Sequence, residues 1–175
     1  MSLFKKLFAV VIAITLWTTL VPGSVFAQGI GLGGDGFTRQ LWTGTDWRAG
    51  LWKLDNNLNP VLTIPYGPFP QWEPIGIAVN QANNNSYVLW RNTNGSISLW
   101  IVDPNLNYVT SQGYGPFAGW IIKGIAWGPG GLRIYWRFYD GTLGIWTLDG
   151  NTLAATNSKP YGPFFGFVPG PLPSY

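Results

Sequence analysis

Few side chains in this sequence could act as a nucleophile, an acid or a base. The 175 residues include no His, no Cys and seven carboxylates, with Glu73 the single glutamate. Most nucleophile–base pairs need one of the two missing residue types, and zinc sites depend on them too. Two facing carboxylates could still hydrolyse a glycosidic bond. However, Asp55, Asp103 and Asp149 each follow a tryptophan by three residues, at equivalent points of a repeating pattern. In Asp-Asn-Asn and Asp-Pro-Asn, the aspartate side chain bonds its own backbone two residues on and closes a turn. These acids are therefore read as turn formers and the chain as non-catalytic, with no cofactor and no metal site.

The aromatic residues carry the stronger signal. They make up 17% of the sequence, and eleven are tryptophan. Tyr-Gly-Pro-Phe starts at Tyr66, Tyr114 and Tyr161, spaced by 48 and then 47 residues, and a further aromatic follows each Phe by three positions. Gly-Pro interrupts regular strand pairing, so these segments are expected to be loops between units. The candidate ligand-binding residues are Tyr66, Phe69 and Trp72; Tyr114, Phe117 and Trp120; and Tyr161, Phe164 and Phe167. Such loops could present a flat apolar platform to the C–H face of a sugar, with Arg91, Asn92 and Asn94 as candidate partners for its hydroxyls. The same aromatics could instead plug neighbouring units together, as repeat proteins require. Both readings stay open on sequence alone.

The elements that must position these loops follow from the repeat. Gly-Ile-Ala occurs at Gly76 and Gly124, with Gly-Ile-Gly at Gly29. Tryptophans recur in pairs at Trp42 and Trp52, Trp90 and Trp100, Trp136 and Trp146. The units run over 29–74, 75–123 and 124–168, and each reads as four short strands. In the second these are Gly76 to Val79, Tyr87 to Arg91, Ile97 to Val102 and Tyr108 to Ser111. Asn92-Thr93-Asn94-Gly95 suits a hairpin loop with glycine in the left-handed position. Trp47 replaces that glycine in the first unit, so that turn is expected to differ. With Asn92 and Ser96 flanking the loop, Trp90 faces Ser98 and Val88 faces Trp100. Alternation then puts Val88, Trp90, Ser98, Trp100 and Val102 on one face, and Tyr87, Leu89, Ile97, Leu99 and Ile101 on the other. Both faces are apolar, so the sheets are expected to be covered on both sides.

The N-terminus has Lys5 and Lys6, an apolar run from Leu7 to about Val21, and Val25-Phe26-Ala27, the layout of a secretory signal peptide cleaved after Ala27. This reading implies an exported protein, secreted or extracytoplasmic, with no membrane span after cleavage. Residues 28–168 form a single repeat domain, and 169–175 a Pro-rich tail. The formal charge of +3 includes both signal lysines. After cleavage the chain carries eight basic residues against seven acidic ones, with no basic cluster, and nucleic acid is not an expected partner. Without cysteine, stability must come from a packed core.

Leu89-Trp90-Arg91-Asn92-Thr93-Asn94-Gly95 followed by Ser98-Leu99-Trp100 resembles the tandem repeats of bacterial FG-GAP/VCBS-type secreted proteins. The resemblance implies β-propeller blades. Only the second unit carries the full Leu-Trp-Arg-Asn string. The family's calcium loop would fall at Asn80 to Ser86 and at Gly128 to Arg133, which hold no carboxylate, with only Asp35 in the first unit. Calcium binding therefore does not carry over. The paired tryptophans also resemble ricin-B-type β-trefoils, although Gly50, Ser98 and Gly144 stand where that family has Gln. Three units would close a threefold trefoil, whereas propellers use about four or more blades. The expectation is an all-β protein of three tandem four-stranded β-meander repeats of about 47 residues, as propeller-like blades or alternatively a closed β-trefoil. The expected function is lectin-like binding of a glycan or cell-surface polysaccharide. Alternatively, the chain is a structural or self-assembling surface protein, which could self-associate to complete a ring.

Overall fold

The computed structural model describes residues 25 to 166. The expected signal segment through residue 24, Phe167 and the Pro-rich tail lie outside the described residues. Twelve strands form three four-stranded sheets, each an antiparallel meander. The first sheet contains β1 (Val25–Leu32), β2 (Thr38–Gly44), β3 (Ala49–Leu54) and β4 (Pro60–Tyr66). The second contains β5 (Trp72–Val79), β6 (Ser86–Asn92), β7 (Ile97–Val102) and β8 (Tyr108–Tyr114). The third contains β9 (Trp120–Gly128), β10 (Gly131–Phe138), β11 (Leu143–Leu148) and β12 (Ala155–Tyr161). There is no helix and no closed barrel among the described residues. The trefoil alternative is overturned, because each sheet keeps its four consecutive strands and none is shared to make a barrel. The three sheets are repeated blades.

The hairpin register follows from turn chemistry and the apolar alternation. Val88 pairs with Trp100 and Trp90 with Ser98. Tyr87, Leu89, Ile97, Leu99 and Ile101 lie in one buried cluster with Ile122, Leu132, Ile134 and Trp136 of the third sheet. Val88, Trp90 and Val102 lie in another with Leu41, Ala49 and Leu51 of the first. The second sheet is thus covered on both faces, and the protein has two cores, one in each gap between sheets. The sheets pack through their first strands, β1 on β5 and β5 on β9. The fourth strands, β4, β8 and β12, form a largely exposed rim.

β5 starts at Trp72 rather than Gly76, with Trp72 paired to Asn92 and a bulge between Pro74 and Gly76. Pro74 is tolerated because β5 is an edge strand of its own sheet. β8 continues past Ser111 to Tyr114, paired with Ile97. The cleavage point expected after Ala27 falls within β1.

The three repeated aspartates close the turns between third and fourth strands. Their Oδ1 atoms accept the backbone N–H of Asn57, Asn105 and Asn151, at 2.8 to 2.9 Å. In Asp55 hydrogen bonds from the Asn59 N–H, the Asn59 side chain and the Asn57 N–H hold the carboxyl below its ordinary range, and in Asp149 those from the Thr152 N–H, the Asn151 N–H and the Thr152 hydroxyl do so. In Asp103 partial burial opposes ionisation, but the bonds from Asn107 and Asn105 outweigh it. Leu58, Leu106 and Leu153 occupy the left-handed position of these turns, with φ of 62°, 63° and 61°. Trp47 corrects an expectation. Its φ is 66°, in the place where Gly95 and Gly141 have 88° and 90°, so the first hairpin keeps the same turn. The bulky residue is held there at a conformational cost, since the left-handed region is uncommon for non-glycine residues.

Candidate functional site

The Tyr-Gly-Pro-Phe segments at Tyr66 and Tyr114 each link one sheet to the next, the one at Tyr161 follows the third sheet, and all three Gly-Pro bonds are cis. The Phe backbone N–H is tied back to the hairpin of its own sheet. Phe69 donates to the Trp47 carbonyl, Phe117 to Gly95 and Phe164 to Gly141. The following backbone is tied forward, with Thr93 N–H donating to Gln71 O and Tyr139 N–H to Gly119 O.

The side chains of the first two linkers reach across the gap onto the tryptophan pair of the next sheet. Phe69 lies edge-on to Trp90 and Trp100, with ring centroids 5.5 and 5.3 Å away. Phe117 meets Trp136 and Trp146 in the same way, at 5.0 and 5.1 Å. Edge-to-face contact sets the positive ring edge against the negative ring face. The Tyr66 hydroxyl donates to the Leu106 carbonyl, and that of Tyr114 to Leu153. Burial pushes the phenol of Tyr114 up to about 12 and, with the nearby Asp103 charge, that of Tyr66 higher still. These tyrosines are anchors.

Beside each anchor a cleft remains open. One, of about 120 Å³, is lined by Phe69, Trp72, Trp90, Ser98 and Trp100. The other, of about 270 Å³, is lined by Phe117, Trp120, Trp136, Gly144 and Trp146, with Ser158 and Pro160 of β12 at its side. The first five residues of each occupy equivalent places, so the site is built twice. Trp90 and Trp136 form its buried floor, while the Phe and the other two Trp are half-buried. Ser98 and Gly144 sit opposite Trp90 and Trp136 in the register, and their small side chains leave the space. The indole nitrogens of Trp90 and Trp136 are buried with no hydrogen-bond partner. Neither lining includes an ionisable residue. A wider recess of about 590 Å³ lies elsewhere, between Asn80 and Trp127. Its lining holds a single aromatic ring, that of Trp127.

Of the candidates read from sequence, Phe69, Trp72, Phe117 and Trp120 therefore come together with the strand tryptophans. Tyr66 and Tyr114 sit next to the clefts as anchors. Tyr161 and Phe164 are exposed, because no further sheet among the described residues packs against them, and Phe167 lies outside the described residues. The polar candidates are engaged elsewhere. Asn92 and Asn94 accept the N–H groups of Asn94 and Ser96 within their own turn. Arg91 pairs with Glu73 at 2.6 Å, on the sheet face opposite Trp90.

No family model matches this chain, and no curated protein does. Solved structures that resemble it include the following two. One is a protein of unknown function from Bacteroides caccae, with 10% identity and a TM-score of 0.47, covering 78% of this chain and 46% of that one. The other is the SapL1 lectin in complex with alpha methyl fucoside, with 18% identity and a TM-score of 0.49, covering 75% of this chain and 45% of that one. The chain spans less than half the length of either.

Sequence reasoning assigned the paired strand tryptophans to the core and missed them as cleft walls. The signal was the small residue two places before the second tryptophan, Ser98 or Gly144, on the same face as the pair.

Proposed function

We propose that this protein is an exported, non-catalytic carbohydrate-binding protein that uses the aromatic clefts between its sheets. The reading rests on the recurrence of one cleft, with Phe69, Trp72 and Trp100 in one gap and Phe117, Trp120 and Trp146 in the next. A pyranose presents clusters of polarised C–H bonds on its face, which suit the electron-rich face of an indole. Its hydroxyls reach Ser98 in one cleft and Ser158 in the other. The lack of charged groups in the linings fits a neutral ligand, and two equivalent sites on a rigid frame favour a polyvalent one.

The test is a glycan array probed with the protein and with Trp72→Ala, Trp120→Ala and the double variant. Saturable binding to a defined class of sugars is expected, weakened in each single variant and lost in the double one while near-ultraviolet circular dichroism is retained. An array without signal, or undiminished binding by a folded double variant, would reject the clefts as the site.

A further inference from the structure

The two joints between successive sheets share three contacts. The Phe ring seats on the next tryptophan pair, and the Tyr hydroxyl reaches the carbonyl of the next Leu turn. The inner-strand glycine of the Gly-Ile motif faces the next sheet's isoleucine. A methyl group built on Gly29 would lie 3.2 Å from Ile77 Cγ2, and one on Gly76 would lie 3.1 Å from Ile125 Cγ2.

The first and third sheets each hold half of this joint. On the first sheet, Trp42 and Trp52 are poised like the internal pairs, with centroids 5.0 Å apart against 4.8 Å for Trp90–Trp100 and 5.1 Å for Trp136–Trp146. Leu58 is 66% exposed, whereas Leu106 and Leu153 in the same turn position are at 0% and 1%. Ile30 is 67% exposed, whereas Ile77 is at 6%. On the third sheet, Tyr161 and Phe164 are exposed although Phe164 N–H is bonded to Gly141 O at 3.0 Å, as Phe69 N–H is to Trp47 O. A methyl on Gly124 would meet nothing within 4 Å among the described residues. A socket and a plug, each already in the geometry of the internal joints, stand at opposite ends.

We propose that the occupant of each end face is a second copy of this chain, joined head to tail, and that two chains close a six-bladed ring. Phe164 of one copy would seat beside Trp42 of the other, its Tyr161 hydroxyl on the Leu58 carbonyl, and its Gly124 against Ile30. Heterologous joints of this kind either close or propagate. Closed propellers hold about four to eight blades, and two sets of the three described blades fall within that range. The preformed parts lower the ordering cost of association.

Light scattering on the purified protein tests this, with Ile30→Lys and Leu58→Asp as socket variants and Tyr161→Ala/Phe164→Ala as the plug variant. All four positions are exposed, and circular dichroism verifies the fold. The expected mass is that of two chains, falling to one chain in every variant at concentrations where the unmodified protein is fully paired. Mixing a socket variant with the plug variant leaves one intact joint and is expected to restore a two-chain species. A single-chain mass for the unmodified protein at high concentration, a ladder of growing sizes, or no recovery on mixing would overturn the proposal.

Discussion

The two gaps between sheets share their linker, anchor and cleft, but at the inner ends of the strands they are held differently. In the first gap Arg39 is fully buried, and Asp35 binds it at 2.8 Å and Lys53 at 3.2 Å. The backbone N–H of Asp35 reaches Asn84, and the Lys53 ammonium reaches the Pro104 carbonyl, so this ionic cluster ties the first sheet to the second. In the second gap, Tyr87 fills the place of Arg39. It stacks on Trp127 at 5.1 Å and donates to the Gly150 carbonyl at 2.8 Å. The contrast teaches that the repeat specifies joint geometry and leaves the chemistry of each joint free. A charged joint is the more vulnerable of the two, because losing one partner leaves the other buried without compensation.

Asp35→Ala should separate the gaps most sharply. It leaves Arg39 buried and facing Lys53, and the expected loss is about 3 kcal/mol, read by urea denaturation. A loss below that of Tyr87→Phe would break the comparison. pH sharpens it next. Burial of Asp35 works against its ionisation, but hydrogen bonds from Arg39, the Phe37 N–H and Lys53 outweigh it and lower the carboxyl from 3.8 to about 2. A lowered folded-state value stabilises above the unfolded one, so this contribution is present above pH 3.8 and drains away towards pH 2. Tyr114 is raised from 10.0 to about 12, with Tyr66 higher, and their contribution is full below pH 10 and lost as pH climbs through 12. Acid should therefore loosen the first gap ahead of the second, while alkali loosens both. Hydrogen–deuterium exchange in β2 and β10 reads the difference, and simultaneous opening in acid would count against it.

Tyr87→Phe should cost about 1 kcal/mol, the usual worth of one hydrogen bond, because the ring stack on Trp127 survives. The smallest effect belongs to Trp47→Gly. Releasing a tryptophan from the left-handed region should stabilise the first hairpin by about 1 kcal/mol, seen as a raised melting temperature. A lowered one would mean that the packing of the half-exposed ring outweighs the strain.

Much of this was legible in the sequence, where spacing and alternation are local. Asn92 to Ser96 sets the β6–β7 register, and the residues on its two faces divide between the two cores as expected. The aspartate turns follow from side-chain chemistry over two residues. What escaped depends on contacts about 40 residues apart or on burial by the neighbouring sheet. Nothing around Tyr66 reveals that its hydroxyl meets Leu106, nor does Arg39 in a strand announce a buried ion pair. The polar candidates are a related case. Asn92 and Asn94 are candidate hydroxyl partners on sequence, and the structure engages their side-chain oxygens in their own turn. Trp47 shows the reverse case, in which the fold imposes a conformation that the residue type disfavours.

Each sheet is complete within one unbroken stretch of about forty residues, and no strand is lent to a neighbour. Every backbone ladder therefore joins segments adjacent in the chain, which lowers the contact order and favours rapid folding for an all-β protein. The sheets can form one after another from either terminus, each new one docking on a surface already made. No late step has to bring the first and third sheets together before the two cores between the described sheets are sealed.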